Sequence, residues 1–533
     1  MAISFEDLTN IYVFGDSLSD TGNALVLSSN EIPSPPYFEG RFSNGPVAVE
    51  FLVNKLNNAN AALNLALAPS FLGGNNFALA GAGTGRNNSS SDDAGLDLPG
   101  LLDQIDIFDR ADIADAQGLF FIWAGPNNYL DNLAGSNTDD PAVLVEQGVD
   151  NLRAGVETLM ATGARQFVIP NMLNLGRLPT SATFQREATA IAIAFNSRLA
   201  LSLDNLELET PDPDLEIVEV DLYGFTETIA QAPDRFGYTN TTDPLLTSVI
   251  EEQFLPDTPG FFFWDQFHPT TQAHERFGEA IFKTLTGEIA QPIFNDILGT
   301  DRPDLHFGTT AADNFDGLAG NDLLFGLAGS DRIEGWQGRD GLFGNSGDDI
   351  LDGGEGDDIV WGGAGNDLGF GSAGRDKLFG NQGEDILIGD GDNDWLWGNG
   401  DDDYLLGGTG DDQLWGNAGD DILHGGDDHD YLIGGKGADK LIGGNGDDWG
   451  IGGRGDDLFV GGPGDDTWFG GLGLDVVQYQ ASLADFSYQG NPEQFQVVGA
   501  NGTTTLKDIE FLAFTDGQVA VNALPFIMDE GGI

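Results

Sequence analysis

The sequence predicts two fold classes in one chain: an α/β domain over about the first 290 residues, and an all-β coil of short parallel strands after it. Two observations lead to this prediction. In the first part, short apolar runs alternate with helical segments, which is typical of a sheet with helices on both faces. In the second part, the chain repeats every nine residues, as a stack of short turns and strands does.

The composition limits what the chain can bind. Its 533 residues include 87 acidic and 21 basic side chains, for a formal net charge of −66. Nucleic acid is excluded as a partner, because phosphate binding needs a basic surface. The chain has no cysteine, which excludes disulfides, thiolate metal sites and cysteine nucleophiles. A hydrophobic content of 40% argues against an acidic disordered chain.

The sequence shows no signal for export by the Sec pathway and no membrane-spanning segment. Its first residues have no basic segment followed by an apolar one, so no Sec-type signal peptide is predicted. No apolar run approaches the ~20 residues that cross a bilayer, so no transmembrane segment is predicted.

The stretch around Ser17 predicts a nucleophile at the end of a strand. The apolar run Ile11 to Phe14 is typical of a buried strand, and Asp20 to Asn23 carries turn and cap residues that can open a helix. Ligands collect at the carboxyl ends of strands in open α/β sheets, where backbone N–H groups can face a developing negative charge. A serine hydroxyl there still needs a base and an anion-stabilising pocket.

Two later turns are candidates for that pocket. Asn75 to Thr84 runs from a strand-like stretch into small residues, among them Gly81, whose N–H can be a donor. The apolar run Leu119 to Ala124 predicts a central parallel strand, and Asn127 follows it. An asparagine there can point its amide donors towards Ser17. Each turn taken alone is more typical of an ordinary loop than of an anion-binding pocket.

Further helices and strands complete the α/β pattern. The sequence predicts helices near residues 45–57, 141–162 and 183–203, and strands at 166–170 and 215–222.

The base is predicted at His268. Asp265 and His268 are three residues apart, ahead of a helix that starts near Pro269. This spacing lets the carboxylate orient the imidazole while the other ring nitrogen faces Ser17. His274 has no acid at that upstream spacing, and we predict that it is a solvated helix residue.

Four blocks in this order resemble the GDSL, or SGNH, esterase/lipase family: Gly15 to Asn23, Asn76 to Gly81, Gly125 to Asn128 and Asp265 to His268. The likeness covers about residues 9 to 290. It implies a flavodoxin-like α/β/α sandwich that hydrolyses carboxylic esters, with a small-molecule or lipid ester as substrate and no cofactor for the chemistry.

The resemblance also implies a role for each site residue. Ser17 is implied as the nucleophile, His268 as its base and Asp265 as the group that orients His268. The oxyanion donors implied are the N–H groups of Ser17 and Gly81 and the side chain of Asn127. The family's third block usually ends in aspartate, whereas Asn128 stands here, which leaves the polar support behind Asn127 open.

A linker is predicted over residues 291–306, which separates the hydrolase domain, residues 1–290, from the repeats, residues 307–477. Pro292, Gly299 and Pro303 mark the linker. From Asp316 to Val477 the nine-residue period holds over 18 units without a register slip. The alternative, a flexible glycine-rich spacer, does not explain a phase kept this long.

Each repeat unit is predicted to be a glycine turn followed by a short strand, so that two units make one 18-residue coil. Alternate units would then stack into two parallel sheets, and successive turns would bring aspartates close together. Carboxylates and turn carbonyls suit Ca²⁺, which takes 6–8 oxygen ligands. The candidate metal ligands are Asp322, Asp331, Asp340, Asp349, Asp358, Asp367, Asp376, Asp385, Asp394, Asp403, Asp412, Asp421, Asp430, Asp439, Asp448, Asp457, Asp466 and Asp475.

This pattern resembles the RTX calcium-binding nonapeptide repeats. The resemblance implies a parallel β-roll with several structural Ca²⁺ ions between its turns, and export by the type I secretion machinery to the outside of the cell. Asp392, Asp401 and Asp428 stand where a turn glycine is expected, so the sites there are predicted to be weaker or rearranged. External calcium would couple folding to arrival outside.

One set of outward positions is apolar beyond what the roll's interior requires. Residues spaced by 18 on one sheet are Phe325, Phe343, Trp361, Phe379, Trp397, Trp415, Ile433, Ile451 and Phe469. The matching positions of the other sheet begin with Asp316, Glu334 and Asp352. We predict that the aromatic face docks on the catalytic domain or on the C-terminal segment, or meets another surface. The alternative is decoration of the roll face without a partner.

Residues 478–533 leave the nine-residue period. Lys507 to Val519 resembles the strand-rich cap that follows RTX arrays, and the last residues are a weak match to a type I secretion signal. The sequence therefore predicts a secreted, calcium-dependent ester hydrolase. Acyl transfer or polysaccharide deacetylation at the same site, and an inactive calcium-binding surface protein, are the alternatives.

Overall fold

The structure is a computed structural model that describes residues 8–21, 23–24, 41, 43, 46–60, 63–70, 74–79, 82, 84–86, 99–111, 113, 115–129, 141–179, 184–210, 212–244, 261–263, 265–289, 295–479, 481–491 and 494–521. The chain divides into an N-terminal unit, Met1–Asn137 with Leu144–Pro292, and a C-terminal unit, Thr138–Val143 with Ile293–Ile533.

A parallel sheet lies at the centre of the N-terminal unit. Its strands run in the order β1 (Ile11–Gly15), β2 (Leu119–Trp123), β3 (Gln166–Pro170) and β4 (Glu216–Val220). The extended segment 75–79 runs along the free edge of β1, where Phe77 N–H donates to the Val13 carbonyl and Leu79 N–H to the Gly15 carbonyl. Counted with this segment, the order is 2-1-3-4-5, the flavodoxin-like order.

Helices cover both faces of this sheet, as the sequence predicts. Phe108 of one helix packs edge-on against Phe120, and Phe277 of another packs edge-on against Trp123. Phe120 and Trp123 are three residues apart on β2 and therefore point to opposite faces. The helices are α1 (Ala48–Ala59), α2 (Leu101–Arg110), α3 (Pro141–Thr162), α4 (Gln185–Glu209), α5 (Leu222–Gln231), α6 (Pro233–Phe236) and α7 (Thr271–Leu285), with a 3₁₀ turn at Leu175–Arg177.

Two parallel sheets form a β-roll in the C-terminal unit, so the predicted fold class is confirmed. The aromatic sheet consists of β6 (Leu305–Phe307), β8 (Leu323–Phe325), β11 (Gly341–Ser346), β13 (Ile359–Ala364), β15 (Lys377–Gln382), β17 (Trp395–Gly400), β19 (Gln413–Ala418), β21 (Tyr431–Lys436), β23 (Trp449–Arg454) and β25 (Thr467–Leu472).

The opposite sheet alternates with the aromatic sheet along the chain. It consists of β5 (Asn295–Thr300), β7 (Asp313–Gly320), β9 (Arg332–Glu334), β10 (Gln337–Gly338), β12 (Ile350–Glu355), β14 (Leu368–Ala373), β16 (Ile386–Gly391), β18 (Tyr404–Thr409), β20 (Ile422–Asp427), β22 (Lys440–Asn445), β24 (Leu458–Val460) and β26 (Val476–Gln478).

The roll begins earlier than predicted. The stretch 291–306, expected to be a linker, contains β5, which pairs with β7, and β6, which pairs with β8. Asn295 aligns with Asp313, so the chain is already one coil of 18 residues ahead of the first degenerate repeat. The sequence of this coil differs too much from the repeat motif for the motif to be recognised. Backbone pairing between strands does not depend on the motif.

One apolar residue per repeat builds the core of the roll. Leu324, Ile333, Leu342 and their successors are buried, as predicted. Gly450 interrupts this series, and Trp468 of the next coil aligns with it and is fully buried. A Cβ at residue 450 would collide with the Trp468 ring. The indole therefore fills the space that the glycine leaves.

The outward column of the opposite sheet is not polar throughout. The outward column that starts with Asp316, Glu334 and Asp352 continues with Phe370 and then, in register, Ile388 and Leu406. The column is polar again at His424, so the polar character of this sheet is interrupted rather than continuous along its coils.

The segment after the repeats closes both sheets of the roll. Its strands are β27 (Ser487–Asn491), β28 (Gln494–Gly499), β29 (Gly502–Lys507), β30 (Phe511–Phe514) and β31 (Gly517–Ala520), with a 3₁₀ turn at Leu483–Asp485. β29 adds in parallel to β25, and β30 adds in parallel to β26. The predicted secretion signal lies outside the described residues. None of the described helices combines the length and hydropathy needed to cross a bilayer.

The core column predicts a local stability effect. Leu396→Ala on β17 should destabilise the calcium-loaded roll by about 2–5 kcal/mol, because the side chain is fully buried between Leu378 and Leu414. Leu472→Ala, at a side chain that is 69% exposed, should change stability by less than about 0.5 kcal/mol. Thermal unfolding of the two variants with excess calcium measures the difference. Equal losses would contradict the assigned core.

Candidate active site

A glutamine side chain forms hydrogen bonds with the end of β1, just before the turn that carries Ser17. β1 ends at Gly15, whose φ of 139° lies in the region that favours glycine. Gln104 of α2 accepts a hydrogen bond from Gly15 N–H at 2.9 Å through Oε1 and donates to the Gly15 carbonyl at 2.9 Å through Nε2. The amide thus pairs with Gly15 as a neighbouring strand would, two residues before Ser17.

Ser17, His268 and Asp265 form one hydrogen-bonded chain. Ser17 Oγ lies 2.9 Å from His268 Nε2. His268 Nδ1 lies 2.9 and 2.8 Å from the two carboxylate oxygens of Asp265. The carboxylate also accepts hydrogen bonds from the backbone N–H groups of Phe267 and His268 at 2.8 and 2.7 Å. A carboxylate held this way favours the ring tautomer that leaves Nε2 free to accept the serine proton.

The loop that carries His268 is anchored on the start of α1. Ser43 Oγ donates to the Pro269 carbonyl, and Thr271 Oγ1 donates to the Pro46 carbonyl. Thr270 accepts a hydrogen bond from Ala273 N–H and so caps α7. These bonds fix the position of the imidazole relative to the preceding part of the unit.

A buried carboxyl group stands next to Ser17. Asp16 is 1% exposed and accepts a hydrogen bond from Leu18 N–H at 2.9 Å. Burial raises the pKa of Asp16 to about 7, against the opposing effects of the Leu18 bond and of nearby His268.

A buried amide network joins the Ser17 turn to the segment 75–79. Asn23 Nδ2 donates to the carbonyls of Asn76 and Ala78, and Asn76 Nδ2 donates to the Ser19 carbonyl. Asn23 and Asn76 are both fully buried. The network therefore ties the Ser17 turn to the extended segment 75–79.

The residues proposed for the oxyanion pocket are only partly described. Gly81 lies outside the described residues. Asn127 follows β2, and its Nδ2 donates to the Ala82 carbonyl at 3.1 Å, which leaves the second N–H of this amide for a ligand. Asn128 takes on a supporting role, since its Oδ1 accepts from Thr84 N–H at 2.9 Å and its Nδ2 donates to Thr84 Oγ1 at 2.8 Å.

A family comparison agrees with this geometry. The family model described as GDSL-like Lipase/Acylhydrolase matches residues 11–281, slightly more than half of the chain. The chain belongs to this family. It is a hydrolase that acts on esters. The model described as RTX calcium-binding nonapeptide repeat matches residues 307–342, 343–378, 370–405, 379–414, 406–441 and 442–477. The C-terminal unit of this GDSL hydrolase is therefore a calcium-binding repeat domain.

Curated relatives match about half of the hydrolase's length. A phosphatidylcholine-sterol acyltransferase from Aeromonas hydrophila is 27% identical over 317 residues, 51% of this chain and 88% of that protein. The GDSL esterase/lipase At1g29660 from Arabidopsis thaliana is 25% identical and covers 53% of this chain and 89% of its own length. A solved structure of a lipolytic G-D-S-L family protein from Veillonella parvula covers 52% of this chain and 95% of its own, with 12% identity and a TM-score of 0.27.

The repeat aspartates of the hydrolase present oxygens that fit Ca²⁺. In Asp394, Oδ1 accepts a hydrogen bond from Asp376 N–H at 2.8 Å, whereas Oδ2 is buried without a hydrogen-bond partner. Oδ2 packs so closely on Gly389 that no side chain fits there. Burial, with neighbouring carboxylates, raises the pKa of Asp394 to about 10. A bound cation would offset this cost of burying charge.

Turn carbonyls would have to complete each calcium site. Among the described residues, no three Asp, Glu, His or Cys side chains lie close enough together to hold a metal. Ca²⁺ takes backbone carbonyl oxygens as ligands alongside carboxylates, so two aspartates and the carbonyls of two turns are a suitable set.

The prediction that His274 is a solvated helix residue was wrong. His274 is 1% exposed, and its Nδ1 accepts a hydrogen bond from Ala48 N–H at 3.2 Å, at the start of α1. Burial, aided by nearby His268, lowers the pKa of His274 to about 3. A buried acceptor of this kind has to stay neutral. The sequence separation of 226 residues between the two partners hides the contact.

Gln104 was also missed, although a local signal exists. It stands on the buried stripe of α2 together with Leu101, Ile105 and Phe108. A polar residue at the i+3 position of an apolar stripe indicates a buried hydrogen bond. Asn23 and Asn76 lie within the motif blocks but carry no signal that separates a structural amide from a turn residue.

The burial of neutral His274 predicts that the folded hydrolase loses stability in acid. Its pKa is lowered in the folded hydrolase, so as the pH falls below about 6.5 the unfolded chain takes up a proton that the folded chain refuses. The penalty grows by up to about 1.4 kcal/mol per pH unit and continues towards pH 3. His274→Gln keeps an oxygen acceptor for Ala48 N–H but does not titrate.

Hydrogen exchange of β2 amides between pH 7 and pH 5, with excess calcium, measures this effect. The unfolding free energy of the wild type should fall by about 1–2 kcal/mol more than that of His274→Gln. Protonation of the calcium-site aspartates affects the two proteins alike, so it cancels in the difference between their unfolding free energies. Identical pH dependence would contradict the buried neutral imidazole.

Proposed function

We propose that the chain is a secreted, calcium-dependent serine hydrolase that cleaves carboxylic esters through an acyl-enzyme on Ser17. The observation that carries the proposal is the 2.9 Å hydrogen bond between Ser17 Oγ and His268 Nε2, with Asp265 on the opposite ring nitrogen. Nucleophile, base and orienting acid then stand in the order that serine catalysis requires.

In the first half-reaction Ser17 Oγ attacks the ester carbonyl carbon while His268 Nε2 takes the hydroxyl proton. Asp265 stabilises the imidazolium that forms. The oxyanion is received by the Ser17 and Gly81 N–H groups and by the free N–H of Asn127. His268 then gives its proton to the departing alcohol, which leaves the acyl group on Ser17.

In the second half-reaction water replaces the alcohol. His268 takes a proton from the water, the hydroxide attacks the acyl carbonyl, and the proton returns to Ser17 Oγ as the acid departs. Phe267, which is 43% exposed and lies against the His268 ring, offers an apolar contact for the substrate beside the base.

Calcium is proposed to act on the fold rather than on the chemistry. The buried aspartates of the repeats, Asp322 to Asp475 at every ninth residue, would hold Ca²⁺ between successive turns. Without the ion, a row of buried carboxylates would have to be protonated or to repel one another. Binding free energy at these turns is therefore folding free energy for the C-terminal unit.

Secretion through the type I machinery follows as part of the proposal. RTX repeats support it, because calcium is scarce inside cells and plentiful outside. A chain whose repeat unit folds on calcium binding would stay unfolded until it leaves the cell.

Acyl transfer to an alcohol is the second candidate function. The relative at 27% identity is named a phosphatidylcholine-sterol acyltransferase. An acyl-enzyme on Ser17 reacts with whichever nucleophile reaches it, so the same residues serve hydrolysis and transfer. The ratio of transferred to hydrolysed acyl groups, measured with and without an added sterol or short alcohol, distinguishes the two.

Substitution at the nucleophile tests the chemistry. Ser17→Ala should lower kcat for a soluble short-chain aryl ester by about 10⁴-fold or more, because no covalent intermediate can form. Asn127→Ala should lower kcat by about 10²–10³-fold with little effect on KM. Unchanged thermal unfolding of both variants is the control. Turnover by Ser17→Ala at the wild-type rate would refute the proposal.

A matched pair in one turn tests the calcium assignment. Asp394→Asn removes a charge from a buried carboxylate, and Asp392→Asn makes the same isosteric change at an exposed carboxylate two residues away. Asp392 has a φ of 71°, which asparagine tolerates. Calcium titration of folding should need more calcium for Asp394→Asn and be unchanged for Asp392→Asn. Equal shifts would contradict the assigned ligands.

A further inference from the structure

A column of seven aromatic rings runs along the outer surface of the aromatic sheet. The rings come from successive coils and are Phe307, Phe325, Phe343, Trp361, Phe379, Trp397 and Trp415. Phe379 and Trp397 have ring centroids 4.5 Å apart at an interplanar angle of 3°, and Trp397 and Trp415 stack at 4.8 Å and 3°. Where neighbouring rings stack, they cover one another's faces and turn their edges outward, which makes a flat apolar strip.

The strip widens over the first coils of the roll. A second outward column, two residues earlier on each strand, contains Leu305, Leu323 and Ile359. Leu323 is 46% exposed, Ile359 42% and Trp361 40%. The interior does not require these side chains, because Leu324 and Val360 supply the core on the same strands. Contiguous exposed apolar surface of this kind marks an interaction site.

Charge decides which partner suits the strip. When the two columns are continued along the sheet to β29, all of their residues are described and their cations are Lys377 and Lys507. The ammonium groups of these lysines lie over the rings of Trp395 and Phe469. The turns beside the strip carry exposed carboxylates such as Asp411 and Asp456. An anionic membrane, or the same face of a second copy, would meet these acids with like charge. An uncharged lipid surface would not.

We propose that this strip is an adsorption surface for an uncharged lipid–water interface, such as an aggregated neutral ester. Its edge-on indoles suit the boundary between apolar and wet regions, where tryptophan is favoured. The lipid nature of the substrate rests on the proposed function, whereas adsorption itself does not involve Ser17. The roll then concentrates the hydrolase where an insoluble ester accumulates.

The test measures adsorption to triolein emulsion droplets and to phosphatidylcholine vesicles, with the full calcium-loaded chain. All proteins carry Ser17→Ala so that no lipid is consumed. The strip variant adds Ile359→Glu and Trp361→Glu on β13. The matched control adds Leu472→Glu and Leu474→Glu, two exposed leucines of the roll outside the ring column. A second strip variant with Ile359→Thr and Trp361→Thr serves if the glutamates lower the calcium-dependent melting temperature.

The strip variant should bind triolein roughly tenfold more weakly or worse, while the control binds as Ser17→Ala alone does. Vesicles with half phosphatidylglycerol should bind less than pure phosphatidylcholine. With Ser17 restored, the strip variant should hydrolyse a soluble short-chain ester at the wild-type rate and emulsified ester more slowly. If the chain with Ser17 and without strip substitutions did not hydrolyse the soluble ester, that result would instead count against the proposed function.

Three results would overturn the adsorption surface. The first is undiminished triolein binding by both strip variants. The second is a dimer that the strip variant alone converts to monomer without loss of adsorption, which would assign the strip to a second copy. The third is strong hydrogen-exchange protection of backbone amides on β13 and β15 in the lipid-free chain, if the strip variants abolish that protection. Such a result would show that another part of the protein covers the strip.

Discussion

The hydrogen bond between Ser17 and His268 joins two side chains that are 251 residues apart, and the N-terminal unit is arranged around it. Ser17 lies just after the carboxyl end of β1. The strand order changes direction between β1 and its neighbour β2. His268 reaches the same place from the loop before α7. α7 and the loop before it are hydrogen-bonded to Ser43, Pro46 and Ala48. The start of α1 and the residues just before it therefore position His268.

His274 shows what this arrangement demands. The first turn of α1 leaves backbone N–H groups without helical partners, and the imidazole satisfies one of them. The same helix therefore carries a buried neutral histidine that accepts a bond and, just before its start, a histidine that hydrogen-bonds to Ser17. Burial suppresses protonation of His274.

Carboxylates are treated differently in the two units. Asp265 spends both oxygens on protein donors, namely the His268 ring and two backbone N–H groups. Asp394 uses one oxygen on the Asp376 N–H and keeps the other buried without a hydrogen-bond partner. The hydrogen bonds of the Asp265 carboxylate are complete within the chain, whereas the buried Oδ2 of Asp394 is left for a cation. In the proposed function the same residue type thus orients a base in one unit and couples folding to calcium in the other.

The sequence alone determined the features that rest on local pattern: parallel strands between helices, the motif blocks around Ser17 and His268, and the nine-residue period with its buried apolar column. These depend on neighbours a few residues apart. Tertiary structure alone decided that β5 belongs to the roll, that Gln104 supports Gly15, that His274 is buried and that Trp468 fills the space at Gly450. Each of these is a contact between distant segments, and its free energy comes from the shape of the space between them, which no local spacing records.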